Sequence, residues 1–397
     1  MSGPLEGLKV LDIATIVAGP FAASLLADYG ADVVKVELPG VGDGMRGFPP
    51  FKEGKSLWWK ATNRNKRLLT LDIRKPEGRE IFKKMLPEFD VLVENFRPGT
   101  LESWGLSRET LWALQPRLVI LRVTGFGQDG PYRERPGFAR IFEAMGGLAY
   151  ISGESAREPI HAGYPIGDPL GGVFGAVGVL AALWRIAKDP QAKGEEIDLA
   201  LTEAVFRLLE ILPAEYDQLG VVRERAGNAN KYSAPSGVYR TLDGRYVSMA
   251  GSTQPIFEAN ASAIGRTDLI SHPDYVKNAD RVKNAAEIEA IFREWMSRHT
   301  CDEVLSAFEQ AGGAIAPVYS MDQIAQDPQF AHRQMMVAAQ DCDFGTVCLP
   351  NVVPRFSGNP GEVRHTAGNM GEANQEIYRA LGYSADELET LRAMKVI

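Results

Sequence analysis

Asp168 is the residue whose setting in this chain is most suggestive of chemistry. It stands in "HAGYPIGDPLGGVFGAVGVLAALW", residues 161 to 184. After it come sixteen residues without a charge, Pro169 to Trp184, four of them glycines. A carboxylate placed like this has two readings. Asp is a common helix N-cap, and Pro169 suits the first helical position that would follow it. A carboxylate can also act as a nucleophile toward an activated carbonyl. The glycines bear on the choice, because each costs roughly 1 kcal/mol in a helix interior. Gly172, Gly175 and Gly178 leave a bare stripe, which serves either close helix packing or close approach of a ligand to backbone. His161, upstream of Asp168, reads as a loop residue.

Other kinds of chemistry find less support. The five histidines form no HxxxH pair and the three cysteines, Cys301, Cys342 and Cys348, form no CxxC, so no catalytic metal is expected. The same sparse, odd cysteine count fits a reducing, cytoplasmic setting. A net charge of −8 argues against a nucleic-acid partner. The basic stretch "NRNKRLLTLDIRK", residues 63 to 75, is either a site for a small polyphosphate or a solvated strand edge. The first residues carry no cationic region followed by an apolar core, so no secretion signal is expected. The sixteen uncharged residues after Asp168 fall short of the ~20 that span a bilayer, which points to a buried helix and no membrane partner.

The elements that must position Asp168 alternate over the first ~130 residues. Strands are expected at 8–13, 31–37, 67–73, 90–96 and 117–127, with helices at 20–30, 75–89 and 107–116 between them. That pattern implies βαβ units and a mainly parallel sheet, whose ligands bind beyond the carboxyl ends of the strands. The loops at those ends read "TIVAGPF", "ENFRPGT" and "TGFGQDGPYRERPGF". None is GxGxxG, so a nicotinamide cofactor is not expected. Polar, turn-rich sequence begins near residue 223, and "VYRTLDGRYVSMAG" (238–251) reads as a hairpin with an Asp-Gly turn. We therefore expect a large α/β domain begun by residues 1–224, a smaller α+β domain over 225–325, and a return to the large domain over 326–397.

Six ordered stretches carry a resemblance: "VAGPFAASLLADYGADVVKVE", "NRNKRLLTLDIRKPEGRE", "VENFRPGTLESWGL", "TGFGQDGPYRERPGF", "GDPLGG" and "LGYSADELETLRAMKVI". Together they resemble the class III coenzyme A transferases, the group that contains formyl-CoA transferase and the CaiB carnitine enzyme. The resemblance runs from about residue 6 to the C-terminus. It implies a Rossmann-like large domain, a smaller α+β domain and an interlocked homodimer. It implies transfer of coenzyme A from an acyl-CoA to a free carboxylic acid, with the thioester as substrate and no permanently bound cofactor. Asp168 matches the family's covalent nucleophile. The coenzyme contacts map onto Leu71, Asp72 and Arg74 in "LDIR" and onto Asn95, Phe96 and Arg97 in "NFR", with Arg74 and Arg97 on the phosphates. Val17 and Ala18 match the loop that lines the thioester.

Formyl-CoA transferase has Gln at the Val17 position, Arg at the Leu38 position, Tyr at the Phe138 position and a glycine-rich loop where this chain reads "NANKYSAPS". Those differences point to another acyl group than formyl or oxalyl. The family's range suggests succinyl-CoA with a dicarboxylic or hydroxy acid. Two rivals are an acyl-CoA racemase, which would need a His–Asp pair where this chain reads "GFARIF", and a non-catalytic CoA-binding protein, which would not need Asp168.

Overall fold

The computed structural model describes residues 3–397. Six strands, β1 (Lys9–Asp12), β2 (Asp32–Glu37), β3 (Lys66–Thr70), β4 (Val91–Glu94), β5 (Val119–Thr124) and β6 (Glu195–Ala200), form one parallel sheet. Their order is β3–β2–β1–β4–β5–β6, the order of doubly wound nucleotide-binding sheets. Both faces are covered, so most strands bury apolar side chains on both sides. Leu11, Val34, Leu92 and Ile120 face one core, and Val10, Val33, Val91 and Val119 face the other.

The helices follow from local signals. Helix α1 (Ala18–Asp28) starts two residues before the expected position, with Pro20 in its first turn. Helix α2 (Pro76–Met85) has Pro at its first position, Glu77 in its first turn and Lys83 and Lys84 in its last, and it buries Gly78, Ile81, Phe82 and Met85 on one face. Helix α3 (Arg108–Leu114) is capped by the Ser107 hydroxyl, which accepts from the Thr110 N–H. Then come α4 (Ala139–Met145), α5 (Gly167–Lys188) and α6 (Leu201–Arg207). Helix α5 is 22 residues long, about 33 Å at 1.5 Å per residue, because Arg185–Lys188 continue it past the uncharged run. By length and composition it could cross a membrane. One of its faces packs on the sheet and on α1.

The chain divides into two compact units. One comprises the chain up to Leu148, His161–Gly220 and Gln329–Ile397; the other comprises Ala149–Ile160 and Val221–Pro328. The sequence places residues 149–160, 221–224 and 326–328 with the large domain, whereas they belong to the second unit. Within the second unit, Arg225 donates to the Tyr150 carbonyl and the Gly227 N–H to the Gly153 carbonyl. That unit is built on an antiparallel sheet of β7 (Ser236–Arg240), β8 (Tyr246–Ala250) and β9 (Ile315–Pro317). The β7–β8 turn carries Gly244 at φ +80. In the first unit the C-terminal residues return to the sheet, where Asp72 N–H donates to the Val396 carbonyl.

Candidate active site

Strands β1 and β4 lie side by side at the centre of the sheet, where the strand order reverses. The loops beyond them are tied by one side chain: Asn95 Oδ1 accepts from the Thr15 N–H at 2.8 Å, and its Nδ2 donates to the Thr15 carbonyl at 2.7 Å. Below this loop lies a charge network with no solvent access. Lys35 pairs with Asp43 at 3.0 Å and Lys66 with Asp12 at 2.8 Å. Asp43 also accepts from the Ile16 N–H at 3.0 Å. Ile16 sits at φ +68, a strained conformation for a β-branched residue, and the Asp43 contact helps to hold it there.

A cleft of about 260 Å³ opens at this edge, lined in part by Thr15, Leu38, Leu71, Arg74, Phe96 and Trp104. Strand β3 ends at Thr70, earlier than expected, and that frees Leu71–Arg74 to turn into the cleft wall. Phe96 and Trp104 meet edge to face at 5.2 Å. Asp72 does not face the cleft. It holds the Arg74 guanidinium with two bonds of 2.8 and 2.9 Å, and that pairing draws its carboxyl below the usual range. Arg97 is exposed and lies outside the lining. Val17 and Ala18 are buried at the start of α1.

Asp168 is not the cap of its helix. Helix α5 begins at Gly167, with Ile166 at the N-cap and no side chain of its own closing the turn. The cap comes from another helix. The N–H groups of Ile166 and Gly167 donate to Oε1 of Glu143 on α4 at 2.9 and 3.1 Å. The other oxygen of Glu143, Oε2, lies 2.9 Å from Nδ1 of His161. A carboxylate can only accept, so His161 Nδ1 carries the hydrogen. Glu143 itself is buried.

Among the described residues, no hydrogen bond reaches the partly buried Asp168 carboxylate. Burial pushes its pKa up to about 6, and the charge of Glu143 adds to that effect. The helix N-terminus therefore does not hold Asp168 as a low-pKa cap: the helix starts at Gly167, and the Leu170 N–H that a cap at 168 would bind is bonded to the Ile166 carbonyl at 3.0 Å. Tyr164 feels the Asp168 charge, and its ring lies 5.8 Å from that of Trp58.

The glycines are explained by packing. A Cβ on Gly172 would stand 3.0 Å from the Ala18 carbonyl oxygen and 2.8 Å from Phe21. Gly175 and Gly178 rest on Leu121 and Ile197 of the sheet, and Gly171 on Leu201. The result joins the two halves of the site. The segment Thr15–Ala18 lines the cleft at one end and touches Gly172, one turn from Asp168, at the other. A Cβ on Gly167 would meet the Ala139 carbonyl at 3.0 Å, so Phe138, which is 68% exposed, stands at the Asp168 end and not in the cleft.

Sequence reasoning missed Glu143. Its one signal was an acidic residue inside the otherwise apolar run "IFEAMGGLAY". Among the described residues one group has metal-ligand spacing, Asp341, Cys342 and Asp343, and Lys60 already neutralises it with bonds of 2.6 and 2.7 Å.

The sequence profile of CoA-transferase family III matches residues 5–374. The chain is 40% identical over 396 residues to the succinyl-CoA–D-citramalate CoA-transferase of Chloroflexus aurantiacus, covering 99% of this chain and 98% of that one. It is 32% identical over 355 residues to the human succinyl-CoA:glutarate CoA-transferase, covering 89% and 80%. The crystal structure of a CAIB/BAIF family protein from Brucella suis superimposes with a TM-score of 0.83, at 32% identity, covering 96% of this chain and 100% of that one.

Proposed function

From the premise that this chain belongs to CoA-transferase family III, and so is a CoA-transferase, we propose that it moves coenzyme A through a covalent intermediate on Asp168. The observation that carries this reading is the Asp168 carboxylate itself: partly buried, one turn from the Gly172 contact with Ala18, and with no hydrogen bond among the described residues. An unbonded, partly desolvated carboxylate is more basic than one in water, and basicity favours attack. With a pKa of about 6 it is still mostly ionised at pH 7.

The steps balance without a metal or ATP. The Asp168 carboxylate adds to the thioester carbonyl and expels CoA thiolate, leaving a mixed anhydride. The thiolate attacks the Asp168 carbonyl carbon, the donor leaves as its free carboxylate, and an aspartyl-CoA thioester remains. The acceptor carboxylate attacks that thioester and expels the thiolate again. The thiolate then attacks the acceptor carbonyl, forming the new acyl-CoA and restoring Asp168. The cleft with Leu71, Arg74 and Phe96 would hold the nucleotide end of the coenzyme, with Asp72 keeping the Arg74 fork oriented. Arg97 would add charge from solvent. Asn95, Val17 and Ala18 would shape the wall along which the thioester reaches Asp168, and Phe138 would border the acyl group. Holding the reactants in this way contributes up to ~7–11 kcal/mol to such a step.

The similarity to transferases that use succinyl-CoA supports succinyl-CoA as donor and a small hydroxy or dicarboxylic acid as acceptor. The exposed apolar face of α5, with Val173, Val177, Leu180 and Trp184, supports a homodimer that covers it. The free cysteines agree with a cytoplasmic setting. The test is chemical. The enzyme is incubated with succinyl-CoA and a panel of acids, and new thioesters are read by mass spectrometry. With hydroxylamine present, a hydroxamate should form on the peptide that carries Asp168, and only after acyl-CoA is added. Turnover without that adduct, under conditions that trap a control thioester, would overturn the covalent route.

A further inference from the structure

We propose that Glu143 is a positioning residue of the transfer site: its buried carboxylate, clamped by His161, stands in for the missing N-cap of α5 and puts a second negative charge beside Asp168. The proposal rests on Asp168 being the reacting group. The geometry consists of three bonds on one carboxylate. Oε1 takes two backbone N–H groups, those of Ile166 and Gly167, and Oε2 takes His161 Nδ1. No side chain local to α5 does this work.

Two consequences follow. Anchoring Ile166 and Gly167 fixes the backbone immediately before Asp168, and so the direction from which its carboxylate leaves the helix. With the helix already begun at Gly167, the Leu170 N–H that a cap at 168 would bind is spent on the Ile166 carbonyl at 3.0 Å, so both Asp168 oxygens stay free for attack. A like charge nearby then keeps the Asp168 proton affinity high, in the direction its pKa is displaced.

The other charged groups on the surrounding elements are few. Helix α4 carries Arg140, which is exposed. Helix α6 carries Glu203 and Arg207, the latter 3.9 Å from Glu210. On α1 the one charged residue is Asp28 at the far end, paired with Arg64. The segment before α5 contributes His161 and Tyr164. Of these groups, Glu143 is the one whose charge raises Asp168.

The test uses Glu143→Gln, which keeps an acceptor oxygen for the two amides and removes the charge. We expect the acid limb of kcat/KM to move to lower pH than in the wild type. We expect the plateau kcat to fall, because a less basic carboxylate attacks more slowly, and KM for acyl-CoA to stay within about twofold, because uniform binding is untouched. Glu143→Ala removes cap and charge together and should lower kcat further, with Glu143→Gln as the partial rescue. An acid limb that stays in place in Glu143→Gln, while the protein is folded by circular dichroism and the hydroxamate still forms on Asp168, overturns the role of Glu143. Absence of the hydroxamate in the wild type instead overturns the Asp168 reading, so the two failures are distinguishable. In this variant the amide NH2 faces His161, whose Nδ1 must then accept, and a Glu143→Gln protein that fails to fold is replaced in the same assay by Glu143→Ala, in which an unmoved acid limb equally overturns the charge role.

Discussion

Replacing Asp168 with asparagine should abolish transfer and at the same time make the protein more stable at neutral and alkaline pH. In the folded chain, burial and the Glu143 charge raise the carboxyl from 3.8 to about 6. A carboxyl whose folded pKa lies above its unfolded value costs stability when ionised. The cost is absent below about pH 4, grows between about 4 and 6, and is complete above that. A shift of about 2 units corresponds to about 3 kcal/mol at 1.36 kcal/mol per unit, and partial solvent access trims this to about 1–3 kcal/mol. Asparagine has nearly the same shape and no charge, so it escapes the cost. Thermal unfolding of both proteins at pH 8 and pH 4.5 is the assay. Domains of 150–250 residues gain roughly 2–4 °C per kcal/mol, so the variant should melt a few degrees higher at pH 8, with the gain much reduced at pH 4.5. A residue acting as an N-cap would behave otherwise, because asparagine caps a helix about as well as aspartate and the melting temperature would not rise. A variant that melts lower than wild type at pH 8, or one whose gain is the same at both pH values, would refute the reasoning.

Four further outcomes are expected. The kcat/KM profile should fall as pH drops through about 6, because the protonated Asp168 cannot attack, and a profile flat to pH 5 would contradict the raised carboxyl. Arg74→Ala should raise KM for acyl-CoA by the equivalent of about 1.5–3 kcal/mol with kcat closer to normal, and an equal loss on acyl-pantetheine would place the contact elsewhere. Gly172→Ala should destabilise by about 1–3 kcal/mol and lower kcat, because its Cβ meets the Ala18 carbonyl and Phe21, and an unchanged melting temperature would show that α1 and α5 can part at no cost. Trp184→Glu should shift the light-scattering mass toward a monomer; a wild-type protein that is already monomeric at every concentration would remove the proposed dimer.

The sheet was legible because its rules are local. Most strands hold an uninterrupted apolar stretch, such as Val10–Leu11, Leu68–Leu69 and Val91–Val93, and Pro76 and Ser107 start the helices between strands at the positions their chemistry dictates. The strand ends were less legible. Leu71 and Ile73 look as apolar as Leu68 and Leu69, and only the turn toward the cleft, held by Asp72 and the C-terminal Val396, removes them from β3. Arg74 and Arg97 look alike in the sequence and both are exposed, yet Arg74 has a carboxylate to orient it and lines the cleft, whereas Arg97 lies outside the lining.

Asp168 stood out as a lone charge, but its position on the helix could not be read, because the residue that caps α5 comes from α4 across a tertiary contact. Local reading assigns a cap to the nearest suitable side chain, and Asp168 was the nearest. The assignment matters chemically. A carboxylate that accepts amide hydrogens at a helix start is stabilised as an anion, its pKa falls, and it becomes a poorer nucleophile. One side chain cannot do both tasks well. By giving the cap to Glu143, the fold leaves Asp168 with unbonded oxygens and a pKa near 6, at a cost in stability that the Asp168→Asn comparison measures. The two acidic residues lie on different helices, and the site depends on their having opposite environments: one fully hydrogen-bonded and buried, the other partly buried with no hydrogen bond among the described residues.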